Sequence, residues 1–279
     1  MKRFAAPAAA LAVVLTLVAC DRGPAAPSQP PQSAATAAPV APPPAAPALP
    51  LAFKQTDPAA DVALTLPAEI GRYPALHAAL YDREVALLKD FAIRAEADRK
   101  STVGEFPWRQ YASERQWTVA AATSKLIGLR GTWFDYTGGA HPNHGATAIL
   151  WDAGANNELK SAALFRRDAD MGVLDKAICD AVVLAKRNRE GAMPLDDVFS
   201  CPKWSETVLA LAPSTEVGKI GGLAVLIDPY VVGPYAEGDY EVVIPLSTLR
   251  PLLAPAYADA FAGSPRSPGN PDGAPSVTM

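Results

Sequence analysis

Of the thirty residues from Asp21 to Pro50, twenty are alanine or proline and none is aromatic. Such a stretch cannot bury enough apolar surface to offset the entropy of ordering it, and its prolines favour extended polyproline geometry. Folding is therefore expected downstream, and residues 21–50 are read as a tether reaching at most about 90 Å at 3.1 Å per residue. Residues 263–279, rich in Pro, Gly and Ser, are read as a second tail outside the fold.

The twenty residues before the tether read as an export signal: Lys2 and Arg3, then a mostly apolar run from Phe4 to Val18. That run is too short to cross a bilayer comfortably. It ends in Leu17-Val18-Ala19-Cys20, the pattern of a bacterial lipobox. Cys20 is the expected lipidation site, and acyl chains on it would moor the chain to a membrane. Asp21 slightly favours the inner membrane. The expected location is the periplasmic face of the bacterial cell envelope.

Without Lys2 and Arg3, 23 basic residues face 29 acidic ones, a net charge of −6. There is no basic stripe, which argues against nucleic acid as a partner. Three cysteines suit an exported chain. With Cys20 lipidated, Cys179 and Cys201 remain as an even pair in an oxidising compartment, expected to form a disulfide.

Between the tails the hydrophobic period changes several times. Leu76, Leu80, Leu87, Phe91 and Ala95 predict a helix over Pro74–Asp98. Alternation then predicts strands over Arg115–Thr123, Leu126–Tyr136 and Ala146–Trp151. Met171, Leu174, Ile178, Ala181 and Ala185 predict a helix over Asp170–Arg189, with Asp168 or Asp170 as N-cap and Lys186, Arg187 and Arg189 at its negative end. Strands follow near Glu206–Ala212, Ile220–Ile227 and Tyr240–Ile244, then a short helix around Ser247–Leu253. This order gives an α+β fold, antiparallel sheets with helices packed on one side, in two subdomains, 51–135 and 136–262.

Two stretches invite a functional reading. "YTGGAHPNHG" holds two of the three histidines, His141 and His144, in a connection between strands, where Gly138-Gly139 supplies positive φ and Pro142 holds His141 extended. Two imidazoles at this spacing can share a metal, yet a catalytic zinc needs three protein ligands and only His77 remains. No G-x-S-x-G or H-E-x-x-H motif is present. Asp196, Asp197, Asp228, Glu237 and Asp239 are available as an acid–base pair, but their spacing does not single any out. No catalytic residue, metal ligand or cofactor is assigned. The second stretch, "IDPYVVGPYAEGDYEVVIP", carries Tyr230, Tyr235 and Tyr240, whose rings suit either recognition or closure of a core edge.

Thr137-Gly138-Gly139-Ala140-His141 and Pro234-Tyr235-Ala236-Glu237-Gly238 resemble the domain of RsiV-type anti-sigma-factor ectodomains, to which a non-catalytic module of PdaC-type peptidoglycan deacetylases is related. "RYPAL" resembles the start of the companion domain, so the likeness spans Leu64 to Phe261. It implies an extracytoplasmic binding module without inherited activity, with a lysozyme-like muramidase, peptidoglycan or another envelope component as partner. The expected recognition surface is Tyr136, Thr137, Gly138, Gly139, His141, His144, Tyr230 and Tyr235. The alternatives are a metal-assisted hydrolase or deacetylase acting on cell-wall glycan through His141 and His144, and a purely structural envelope lipoprotein.

Overall fold

The structure, a computed structural model, describes residues 49–104, 106–266 and 277–278. The expected signal, Cys20 and nearly all of the tether lie outside the described residues. No helix among the described residues is long and apolar enough to cross a membrane.

The fold is α+β. The first sheet has six strands in chain order: β1 (Ala52–Thr56), β2 (Ala60–Thr65), β3 (Tyr111–Ala122), β4 (Leu126–Tyr136), β5 (Asn143–Asp152) and β6 (Asn157–Leu159). Helix α1 (Pro74–Ser101) links β2 to β3, so this pair runs parallel while the others are antiparallel. A second helix, α2 (Gly172–Asn188), leads to the second sheet: β7 (Val208–Pro213), β8 (Ile220–Ile227) and β9 (Tyr240–Pro245), antiparallel neighbours. Short helices α3 (Leu246–Leu249) and α4 (Pro255–Ala258) follow, and β10 (Val277–Thr278) pairs parallel with β9. The sheets are thus mixed rather than purely antiparallel.

Period-two alternation assigns the faces. On β4 and β5, Ile127, Leu129, Ile149 and Trp151 join Leu76, Leu80, Leu88 and Phe91 of α1 in one core. The opposite face presents Ala146 and Ala148 to Ala210, Ala224 and Leu226 of the second sheet. Small side chains there let the sheets approach closely, and the buried Glu241 pairs with Arg130 across the gap. The far face of the second sheet packs Leu209, Val225 and Val242 against Leu174, Ile178 and Val182 of α2. The layers run α1, first sheet, second sheet, α2.

Several expectations need correction. The division at 135/136 falls inside the first sheet, because Trp133 to Asp135 pair directly with Asn143 to Gly145 across the β4–β5 hairpin. The C-terminal tail is partly inside the fold: Thr215 N donates to Ser264 O at 2.8 Å, Arg266 N to Pro213 O at 2.7 Å, and β10 extends the second sheet. Leu87 is 50% exposed and Leu88 takes the inward position instead, with Glu84 also buried one turn earlier. The residue preceding α2 is Met171; Asp170 still serves the helix start, its Oδ1 accepting Gly172 N at 3.0 Å. Lys186 stands in the last turn of α2 as expected, and it is buried there. Cys179 and Cys201 form the expected disulfide, tying α2 to the irregular segment that follows it.

Candidate functional site

The β4–β5 hairpin and the β8–β9 connection meet at one end of the two sheets. Gly138, with φ +80°, turns the hairpin; a Cβ there would lie 3.3 Å from the Tyr111 ring. His141 is exposed, with Nδ1 2.8 Å from Pro142 O. Its ring stacks on Tyr235, centroids 4.2 Å apart and planes at 27°. His144 lies on the face of β5 that looks toward the second sheet and meets the edge of the same tyrosine ring, centroids 5.4 Å apart.

Tyr235 opens a tight turn, Tyr235–Glu237, and its hydroxyl lies 2.8 Å from Pro142 O and 3.1 Å from His144 Nδ1. His144 Nε2 is 3.3 Å from Asp239 Oδ2. A hydroxyl has one proton, so the contacts are linked. Tyr235 donates to Pro142 O, which leaves its oxygen to accept from His144 Nδ1–H, so the turn, the hairpin and β5 are latched through one hydroxyl.

Tyr230 follows Pro229 in a turn closed by Val231 N donating to Asp228 O at 3.4 Å. Proline followed by positive φ is the type II pattern, which normally has glycine in the second place. Here φ is +71° on a tyrosine. The ring is 55% exposed and stands 5.5 Å from Tyr235 at 36°. His141, Tyr235 and Tyr230 thus form a short row of rings.

Tyr230 and Tyr235 border a hollow of about 630 Å³, whose lining also includes Phe91 and Arg94 from α1, Trp133 and Asp135 from β4, Asn143 and His144 from β5, and Asp228. The Asp135 carboxylate accepts both Arg115 nitrogens, at 2.8 and 3.2 Å, and Ser113 Oγ at 2.7 Å. Asp228 Oδ1 accepts Ala146 N at 2.7 Å. Burial pushes the Asp228 carboxyl above its ordinary range, partly offset by the Ala146 hydrogen bond and by His144. Gly145 makes room for it, since a Cβ there would lie 2.6 Å from Asp228 Cγ and 2.7 Å from Trp133 Cζ2.

A second hollow, about 750 Å³, lies across the hairpin, lined by Thr102, Phe106, Pro107, Trp108, Arg109, Tyr111 and Thr137 to Ala140. Trp108 stacks on Tyr111, centroids 4.6 Å apart and planes at 28°. Thr137 borders both hollows.

Behind the row of rings is a buried polar anchor. Lys186 Nζ donates to Glu237 Oε2 and Val232 O, both at 2.6 Å, and Tyr240 donates to the same carboxylate oxygen at 2.6 Å. Glu237 Oε1 accepts Met193 N at 2.9 Å. The Arg189 guanidinium lies 3.8 Å from the Tyr240 ring centroid and donates to the carbonyls of Glu237 and Asp239. Burial, then the Glu237 carboxylate, raise the Tyr240 hydroxyl. These contacts fix the Tyr235 turn to α2.

Of the eight expected recognition residues, the structure brings His141, His144, Tyr230 and Tyr235 together. Thr137 sits between the hollows, Gly138 and Gly139 line the second, and Tyr136 lines neither. Sequence reasoning missed Trp133, Arg115, Phe91, Arg94, Phe106, Trp108 and Tyr111. It weighed Asp228 and Asp239 only as catalytic acids and did not single out Asp135. Among the described residues no three His, Cys, Asp or Glu side chains gather closely enough to hold a metal ion. His77 is instead buried on α1, its Nε2 2.8 Å from Pro50 O.

No family model and no curated protein matches this chain. Among solved structures it is similar to two bacterial members of the DUF3298 family. The one from Bacteroides fragilis shares 16% identity at a TM-score of 0.48, over 74% of this chain and 92% of that one. The one from Pseudomonas aeruginosa PAO1 shares 16% identity at a TM-score of 0.48, over 77% and 99%.

Proposed function

We propose that this chain is a lipid-anchored, non-catalytic binding protein of the bacterial cell envelope, and that it recognises an envelope partner through the hollow edged by His144, Tyr230 and Tyr235. The partner class is peptidoglycan, a lysozyme-like muramidase or another envelope component. The observation that carries the reading is Tyr230. A non-glycine residue at φ +71° costs on the order of 1 kcal/mol, and such strain persists where function keeps it. Here it holds a large side chain half in solvent beside the Tyr235 ring, itself stacked with His141. Tyrosine offers broad amphipathic contact area at small entropic cost, as binding surfaces require. The export pattern and the Cys179–Cys201 bridge support an oxidising compartment.

The experiment is co-sedimentation of the full mature protein with insoluble peptidoglycan, together with pull-down on immobilised lysozyme. Binding to at least one, weakened about tenfold by Tyr230→Ala without a lower melting temperature, is the expected result. No binding at micromolar concentration to either would remove the reading and leave a structural role. Mass spectrometry of membrane-extracted protein should find a lipidated N-terminal Cys20; soluble, uncleaved protein beginning at Met1 would overturn the anchor.

A further inference from the structure

We infer that the two hollows are one cleft for a linear, uncharged glycan, its rings stacking on Trp108 and Tyr111 at one end and on Tyr230 and Tyr235 at the other. This deepens the proposed function and rests on it. Three observations lead here.

The first is continuity. Thr137 borders both hollows, and Gly138 and Gly139, which follow it, line the larger one. A Cβ on Gly139 would meet nothing within 4 Å, so nothing crowds the hairpin turn beside Thr137. Each hollow has the size of a small-molecule site, large enough for a few sugar rings. Two such spaces joined in line fit a thread better than a broad protein face.

The second is the walls. Sugar rings carry apolar C–H faces that pack on exposed aromatic rings. Both ends supply them: Phe106 is 62% exposed beside the Trp108–Tyr111 stack, and Tyr230 is 55% exposed beside Tyr235.

The third is charge complementarity. The Asp135 carboxylate already accepts Arg115 and Ser113, and Asp228 already accepts Ala146 N. Arg94 already pairs with Asp90. The Asp135–Arg115 and Asp90–Arg94 pairs each cancel, and burial disfavours charge on Asp228, which leaves little net charge to attract a lysine or arginine of a protein partner. The carboxyl groups still have lone pairs for hydroxyl donors, while Asn143 and Thr137 offer neutral hydrogen bonds.

The test is calorimetric titration of the full mature protein with N-acetylglucosamine oligomers of two to six units. Affinity should rise about tenfold or more between the shortest and longest oligomers, as the second hollow is engaged. Phe106→Ala and Trp108→Ala should abolish that gain while leaving disaccharide binding intact. Tyr230→Ala should weaken every oligomer. Trp108 also donates Nε1–H to Ala59 O at 3.3 Å, so the exposed Phe106 gives the variant that does not threaten the fold. Affinity independent of length would overturn the single cleft. No binding at millimolar oligomer, with Tyr230-dependent capture of peptidoglycan or lysozyme retained, would overturn the glycan and leave the broader function standing. Loss of all three would remove both.

Discussion

Glu237 lies within one of the motifs that resembles a recognition module, yet its geometry makes it a fastener. Its side chain is 6% exposed and that of Lys186 only 4%. One oxygen accepts Lys186 Nζ and Tyr240 Oη at 2.6 Å each; the other accepts Met193 N at 2.9 Å. Glu237→Ala would strand a buried ammonium with Val232 O as its other acceptor shown here. Removing one partner of a buried ion pair costs about 3–5 kcal/mol. For a folded unit of this size that is a fall in melting temperature of roughly 6–20 °C. Urea denaturation of wild type, Glu237→Ala, Lys186→Met and the Lys186→Met/Glu237→Leu double variant measures it. The double variant should recover part of the loss, since an apolar pair can replace a buried ion pair, while Tyr240 Oη and Met193 N still lose their acceptor. Burial pushes the Glu237 carboxyl up, but the bonds from Lys186, Tyr240 and Met193 outweigh this and hold it below the ordinary carboxylate range. A depressed folded value means the stabilisation is complete above the unfolded value and fades as pH falls through the folded one. The gap between wild type and Glu237→Ala should therefore close in acid. A loss under about 1 kcal/mol at neutral pH, or no coupling between the two sites, would refute this reasoning.

Tyr230→Gly should raise stability by up to about 1 kcal/mol by relieving the positive φ while weakening ligand binding; a less stable variant would mean the tyrosine is structural. Asp228→Asn should be at least as stable as wild type at neutral pH. The folded carboxyl is raised above its unfolded value, so wild-type stability falls as pH rises through that window, and the asparagine variant should lack this slope in pH-dependent denaturation. Gly145→Ala should cost about 1–3 kcal/mol in denaturant melts through collision with Asp228 and Trp133, partly relieved by adding Asp228→Ala. Replacing Cys179 and Cys201 by alanine should cost about 3 kcal/mol for a loop of this length, read from the shift in urea midpoint.

Much of the fold was legible because burial follows period. Strands β4 and β8 match the expected Leu126–Tyr136 and Ile220–Ile227 at both ends, and α2 lies within the expected span. The edge hairpin β1–β2 was not read. Ala60, Val62 and Leu64 do alternate inward on β2, but β1 is largely exposed and adjoins an Ala/Pro run that masks the signal. At the site, the histidine loop and the tyrosine segment were identifiable from their residue types. Their meeting was not, because the hydrogen bond from Tyr235 to Pro142 spans 93 residues and depends on how the sheets stack. Arg115 and Asp135 each look like ordinary surface charges; only the β3–β4 register makes them a bidentate pair. Lys186 stands at the helix end as expected, but helical position alone does not reveal that a carboxylate from a loop 51 residues away will cover it.

The segment between α2 and β7 has almost no regular structure, yet it is stapled at several points: Cys201 to Cys179, Trp204 N to Asp175, and Met193 N to Glu237. The last of these reaches the carboxylate that fastens the Tyr235 turn. Cleaving the sulfur–sulfur link would slacken the same stretch of backbone that holds Met193 against that carboxylate. Thiol chemistry in the surroundings is thereby wired to the aromatic rim, and protein made in a reducing cell interior would present a looser rim than protein matured outside it.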